Sequence, residues 1–259
     1  MDSFSKAFDK IKHVLEKAQI TIFFMCFAFP LYAQYSTSEL AYFAMDSYED
    51  TVSENIPLNF TRMEVPGFTP SRRFNAVKYE NKDTIIISYR GTDNAWDAAV
   101  DTDIAVNEIM KWMPVLEKSE TRPFKAAADF LNKMSEEILR PLLEDRFRQA
   151  RDFYRASTAN TGKKVIIVGH SLGGLLAQIV GNETGAETHT FNAPGAREYV
   201  DDANINGSNI TNHLSLYDPV SNAGVHIGST KYYNHFDYSL GHSMEGFYRY
   251  LVEEDKAKK

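Results

Sequence analysis

KKVIIVGHSLGGLLAQIV, residues 163–180, decides the reading of this 259-residue chain. Val165 to Val168 is an unbroken apolar run that reads as a buried strand, and Leu172 to Val180 reads as an apolar helix. Between them lies Gly169-His170-Ser171-Leu172-Gly173, a G-x-S-x-G pattern. Chance alone produces that pattern in about one chain in ten of this length, so its place between a strand and a helix is what gives it meaning. A sharp strand-to-helix turn strains the middle residue and lifts its side chain above the sheet, and glycine at the flanking positions avoids collision with the turn. The pattern predicts Ser171 as a nucleophile exposed at the turn. The first backbone N–H groups of the helix, that of Leu172 foremost, would face whatever binds there.

A serine hydroxyl needs a base to take its proton and a third group to orient that base. Where such a turn carries the nucleophile, the acid and the base follow it in the chain. For the acid, Asp218 is well placed: it follows an expected strand, His213 to Tyr217, and Pro219 marks the chain leaving the sheet. Asp201 and Asp202 lie in a polar loop and read as solvated charges; Asp237 is a weaker rival. For the base, His213 precedes the acid and sits within the strand, and His226 follows it closely enough to be structural. His235 and His242 both remain open. Gly241 before His242, and the helical run Met244, Phe247, Tyr248 and Leu251 after it, give that histidine a loop anchored on a rigid element. The oxyanion of an acyl-transfer intermediate needs a second N–H donor beside that of Leu172. Thr92, in the turn Arg90-Gly91-Thr92 after an expected strand Thr84 to Tyr89, is one candidate; an ordinary turn with an arginine ion pair explains the same residues equally well.

Around this centre the chain alternates strand-like and helix-like segments, which predicts an α/β fold with a mostly parallel sheet. Ser36-Thr37-Ser38-Glu39 carries capping chemistry for a helix running on through LAYFAMDSYED, 40–50. Residues 50–73 read as loop. Phe74 to Tyr79 and Thr84 to Tyr89 read as a hairpin, 123–157 as a charged helical stretch broken or kinked at Pro141, and Thr188 to Phe191 as a short strand. The chain from His242 onward reads as a terminal helix.

Residues 1–33 are of another kind. Met1 to Lys17 is amphipathic, with Lys6, Lys10, Lys12 and Lys17, and Ile20 to Ala33 carries no charge. That apolar run is short for a membrane span and suits an export signal or membrane anchor, with Ala33 as a cleavage position. Export or membrane association is the expectation for 1–33; a cytoplasmic protein follows if the segment packs as a helix. Residues 34–259 form the remaining domain. With 43% hydrophobic residues the chain can bury one sizeable core. A formal net charge of -7 without a basic patch argues against nucleic acid as a partner. Cys26 alone excludes an intrachain disulfide framework. No zinc-ligand spacing, phosphate-binding loop or dinucleotide fingerprint is present.

Taken together, YRGTD (89–93), VGHSLGG (168–174), TFNAPG (190–195), LYDPVSN (216–222) and GHSMEGF (241–247), in this order, resemble the class 3 lipase family, the fungal-lipase-like α/β-hydrolases. LAYFAMDSYED resembles the first helix of such proteins. The likeness spans roughly residues 36–252. It implies an α/β-hydrolase with Ser171 as nucleophile, Asp218 as acid and His242 as base, Thr92 and Leu172 as the oxyanion hole, and no metal or cofactor. It implies a lipase or phospholipase that hydrolyses carboxylic esters of acylglycerols or phospholipids at a membrane or micelle surface. After the RGT motif the run NAWDAAVDTDI matches the family only loosely, so Trp96, Asp97 and Asp101 read as structural. Residues 104–116, with Met110, Trp112, Met113 and Leu116, occupy the position of the family's lid; a helix packed permanently on the core is the alternative. Two other functions compete: an esterase or acyltransferase acting on soluble substrates, and a catalytically silent α/β-hydrolase that serves as an interaction module.

Overall fold

The apolar runs become strands buried on both faces. A computed structural model describes residues 35–50, 56–69, 74–91, 140–239 and 241–258. Residues 1–33, Thr92 and the stretch 104–116 lie outside the described residues. In chain order the elements are α1 (Thr37–Asp46), β1 (Thr61–Met63), β2 (Ala76–Glu80), β3 (Thr84–Tyr89), α2 (Arg140–Thr158), β4 (Lys164–His170), α3 (Leu172–Thr184), β5 (Glu187–Phe191), β6 (Ile210–Ser215), β7 (Ser229–Tyr233) and α4 (Met244–Ala257). The seven strands form one sheet in the order of the chain. β1, β2 and β3 pair antiparallel, and β3 through β7 pair parallel.

Successive residues of β3 and β4 point to opposite faces and find different partners. Ile85, Ile87 and Ile167 pack with Leu143, Phe147 and Phe153 of α2 and with Leu175, Leu176 and Ile179 of α3. Ile86, Ile166 and Val168 pack on the other face with Leu40 and Phe43 of α1 and Phe247 and Leu251 of α4. This three-layer arrangement, with the serine at a strand–turn–helix junction, is an α/β-hydrolase fold. Register sets the site. Tyr89 pairs with Gly169, Gly169 with Thr190 and Thr190 with Asn212. The chain therefore leaves β3, β4, β5 and β6 at one carboxyl edge, the place where open α/β sheets bind ligands.

Local chemistry explains the element ends. Ser36 caps α1: its hydroxyl accepts from the Glu39 N–H at 3.2 Å while Glu39 Oε2 accepts from the Ser36 N–H at 2.7 Å. In the β2–β3 hairpin the Asn81 side-chain oxygen accepts from the Asp83 and Thr84 N–H groups. Pro141 lies at the start of the described part of α2, and the stretch 123–139 before it lies outside the described residues.

Three elements differ from the sequence expectation. β6 runs over Ile210–Ser215 rather than 213–217, because Leu216 and Tyr217 have left the sheet and are half exposed. β1 forms inside the stretch that reads as loop, and β7 forms where no strand was expected. Both are sheet-edge strands; β7 is exposed from Ser229 to Tyr232 and so carries no apolar alternation. Among the described residues no helix is long and apolar enough to cross a membrane.

Candidate active site

The elbow after β4 is held by sterics. Ser171 has φ 56° and ψ -130°, a region that side chains other than glycine rarely adopt and that costs on the order of 1–3 kcal/mol. The surroundings leave it no alternative. A Cβ on Gly169 would overlap the carbonyl of Gly173, and a Cβ on Gly173 would overlap the carbonyl of Tyr89 at the end of β3. The Ser171 N–H donates to the Phe191 carbonyl at 3.1 Å, and the Ser171 carbonyl accepts from Gly174 and Leu175 N–H groups as α3 begins. Leu172 is the first residue of α3, so its N–H stands ahead of the helical hydrogen-bond ladder.

The chain then brings together three residues far apart in sequence. Asp218 lies in the turn after β6, fully buried, and its Oδ1 accepts from the Val220 N–H at 2.9 Å. Its Oδ2 lies 2.8 Å from His242 Nδ1. His242 Nε2 lies 3.1 Å from Ser171 Oγ. A carboxylate oxygen only accepts, so Nδ1 carries the proton and the Nε2 lone pair faces the serine hydroxyl. A hydroxyl hydrogen-bonded to an imidazole that a buried carboxylate orients is an arrangement suited to base-assisted nucleophilic attack. Ser171 is only 3% exposed, so the elbow turns its hydroxyl into the His242 contact rather than to open solvent, unlike the exposed nucleophile the motif suggests.

The other histidines find different partners. His235 is buried against the Phe247 ring, centroids 5.5 Å apart, with Nε2 3.4 Å from Asp237 Oδ2. His213 lies inside β6, between His189 Nδ1 at 3.1 Å and the Tyr233 hydroxyl at 2.9 Å, and burial, with His189 beside it, holds it well below its usual pKa. His226 Nε2 donates to the Ala193 carbonyl at 2.9 Å, and burial lowers it too. Asp201 and Asp202 are exposed, and Arg197 pairs with Asp202.

Three supporting residues carried no signal in the sequence beyond lying inside quoted motifs. His170 is buried, and its Nε2 lies 2.8 Å from the His242 carbonyl. A carbonyl only accepts, so Nε2 carries the proton. Burial, followed by repulsion from His242, lowers the His170 pKa to about 3 and keeps the ring neutral. Its Nδ1 lone pair then accepts from the Tyr48 hydroxyl at 2.8 Å, and that hydroxyl accepts from the Gly91 N–H at 3.0 Å. Gly91 is the last described residue before Thr92. Asn192 is the third: its side-chain NH2 donates to the Gly241 carbonyl at 2.7 Å and its oxygen accepts from the Ser215 N–H at 2.8 Å. Among the described residues no group of three or more histidine, cysteine, aspartate or glutamate side chains could hold a metal ion.

No family model and no curated protein matches the chain. The chain is similar in fold to several solved structures, among them the following two. One is a mutant form of MDLA from Penicillium cyclopium, at 16% identity over 77% of this chain and 81% of that one, with a TM-score of 0.41. The other is described as fungal lipases, at 14% identity over 75% of this chain and 76% of that one, with a TM-score of 0.39.

Proposed function

We propose that the chain is a serine hydrolase that cleaves carboxylic ester bonds of lipids. The reading rests above all on the unbroken line Ser171 Oγ, His242 Nε2, His242 Nδ1, Asp218 Oδ2, with contacts of 3.1 and 2.8 Å. In this reading Ser171 Oγ attacks the acyl carbonyl and its proton passes to His242 Nε2. Asp218 keeps the imidazole in the required tautomer and stabilises the imidazolium. The Leu172 N–H, with Thr92 as its expected partner, stabilises the oxyanion. The tetrahedral intermediate expels the alcohol, which takes the proton from His242, and leaves an acyl-serine. Water then attacks that ester with His242 again as base, and the carboxylic acid departs. Each step balances with the chain's own groups and water.

A lipid rather than a soluble ester is supported by what flanks the site. Leu216 and Tyr217, just before Asp218, are 50% and 52% exposed; Phe236 and Tyr238, in the loop leading to His242, are 63% and 93% exposed. The Tyr217 and Phe236 rings meet edge to face at 5.5 Å. Scattered exposed apolar side chains need no explanation, but a group of them on two loops beside one site suits contact with a lipid surface. Residues 1–33, if they export or anchor the chain, would bring it to that surface.

The test is hydrolysis of a fluorogenic phospholipid and of a triacylglycerol, below and above micelle formation, with Ser171→Ala beside the wild type. The expected result is turnover that rises when micelles form and falls roughly 10⁶-fold in the variant. Turnover of short soluble esters alone would replace the lipid with a soluble substrate. An inert wild type that also resists a fluorophosphonate would overturn the hydrolase reading.

A further inference from the structure

The loop from β7 to α4 carries His242, and among its described residues Phe236 and Tyr238 are exposed. A second carboxylate holds it. Asp237 Oδ1 accepts from the Ser239 N–H at 2.9 Å, the Ser239 hydroxyl at 2.5 Å and the Gly241 N–H at 3.0 Å. Ser239 extends the network, since its hydroxyl oxygen accepts from the Ser243 N–H at 2.7 Å and its carbonyl from the His242 N–H at 3.2 Å. The residues before and after His242 are thus tied, directly or through Ser239, to one carboxylate oxygen. The other oxygen, Oδ2, lies against the first turn of α4, where a Cβ on Gly246 would overlap it; a negative charge is favoured at that end of a helix.

We infer that Asp237 is the positioning residue for His242: its Oδ1, by gathering the N–H groups of the 239–243 loop, sets the imidazole at the distance where it meets both Ser171 and Asp218. The inference rests on the hydrolase reading for its kinetic consequence and on geometry alone for its structural one. Burial raises the Asp237 carboxyl, but the bonds from Ser239 and Gly241 together outweigh it and hold the group below its ordinary value, so it is an acceptor at neutral pH. The His235 Nε2 at 3.4 Å from Oδ2 is a neighbour without a hydrogen bond, so the ring is not what positions the carboxylate. Asp237 touches neither Ser171 nor the reacting atoms and acts through His242 alone.

Three variants separate this role from simple loop stability. Asp237→Ala removes the acceptor, Asp237→Asn keeps an oxygen at Oδ1, and Ser239→Ala removes the hydroxyl that donates to Oδ1 and accepts from Ser243 while the Ser239 and Gly241 N–H bonds to Oδ1 remain. The first readout is the low-field proton of the His242 Nδ1–H···Asp218 bond, assigned by its loss in Asp218→Asn, which needs no substrate. The expected result is a sharp resonance in wild type and Asp237→Asn and a lost one in Asp237→Ala. The second readout is ester hydrolysis: kcat falls about 10- to 100-fold in Asp237→Ala with KM unchanged, as for an ångström-scale misplacement of a base. Ser239→Ala falls between, and His235→Phe stays within about twofold of wild type because the Oδ1 bonds remain. A folded Asp237→Ala that keeps the resonance would overturn the inference. If that variant does not fold, an Asp237→Asn or Ser239→Ala result outside the stated pattern would do the same. A wild type inert to all esters would end the hydrolase reading while the resonance still decided the positioning role.

Discussion

The elbow after β4 and the loop after β7 deliver the two partners of one hydrogen bond, Ser171 and His242, by opposite means. The elbow is set by exclusion: glycines at 169 and 173 are the residues that fit between β3 and α3, and the backbone has one path. The loop is set by attraction: Asp237, Ser239 and Asn192 hold it through polar contacts of 2.5–3.0 Å. Steric exclusion tolerates no added atom but asks little of the surrounding charges. A polar network survives small changes in volume but depends on every donor finding its acceptor. In the proposed reading the site therefore joins a rigid nucleophile to a base whose position is adjustable and breakable.

The comparison is broken most severely where the two regions meet. Asp218→Asn leaves the volume of the turn intact but puts an amide opposite His242 Nδ1 and favours the wrong tautomer. The expected fall in kcat is about 10⁴-fold with the fold retained, checked by steady-state kinetics beside a thermal melt. On the elbow side, Gly173→Ala forces a methyl group into the Tyr89 carbonyl. It is expected to destabilise by about 3 kcal/mol or to prevent folding, read from the urea midpoint. An alanine there that leaves the midpoint unchanged would mean that the elbow is softer than its backbone angles imply.

The same contrast governs how much could be read from the chain. The elbow is written in adjacent residues, so Ser171, Leu172 and the strand and helix around them were legible. The place of Asp218 beside His242 was legible because a strand leads to it, although β6 ends at Ser215 and Asp218 sits three residues further on. Choosing between His235 and His242 needed contacts across the fold: what seats His242 is Asn192 from the end of β5 and Asp237 from the loop itself. Tyr48 and His170 stand 122 residues apart, and no local pattern links them. β7 was illegible because an exposed edge strand lacks the alternation that marks a half-buried one.

Acid should separate the two regions through His170, which belongs to the elbow yet touches the loop. Its folded pKa of about 3 lies below the unfolded value near 6.5. As pH falls below 6.5 the unfolded chain takes up the proton first. The stability due to neutral His170 is therefore complete above 6.5 and is lost progressively down to about 3, at roughly 1.4 kcal/mol per pH unit. Buried His213 acts in the same direction. Urea midpoints at pH 7.5 and 5.5 should differ in the wild type and less in His170→Gln. Equal wild-type midpoints would show that the ring accepts a proton in place.

The smallest effect tests whether elbow and loop are coupled at all. Tyr48→Phe removes the hydroxyl that donates to His170 Nδ1 and accepts from the Gly91 N–H, and it leaves the volume of α1's end nearly unchanged. His170 then keeps its Nε2–H bond to the His242 carbonyl but loses the donor that fixes its ring through Nδ1. One neutral hydrogen bond contributes about 1 kcal/mol, so the fluorophosphonate labelling rate of Ser171 should fall several-fold, by at most about tenfold. A domain of this size should lose only about 2–4 °C in melting temperature. A larger melting shift without slower labelling would mean that Tyr48 serves only to hold the turn after α1. Slower labelling combined with Asp237→Ala should exceed the product of the single effects if both act on His242, since residues sharing one network are not additive. A simple product would mean that the elbow and the loop hold Ser171 and His242 independently.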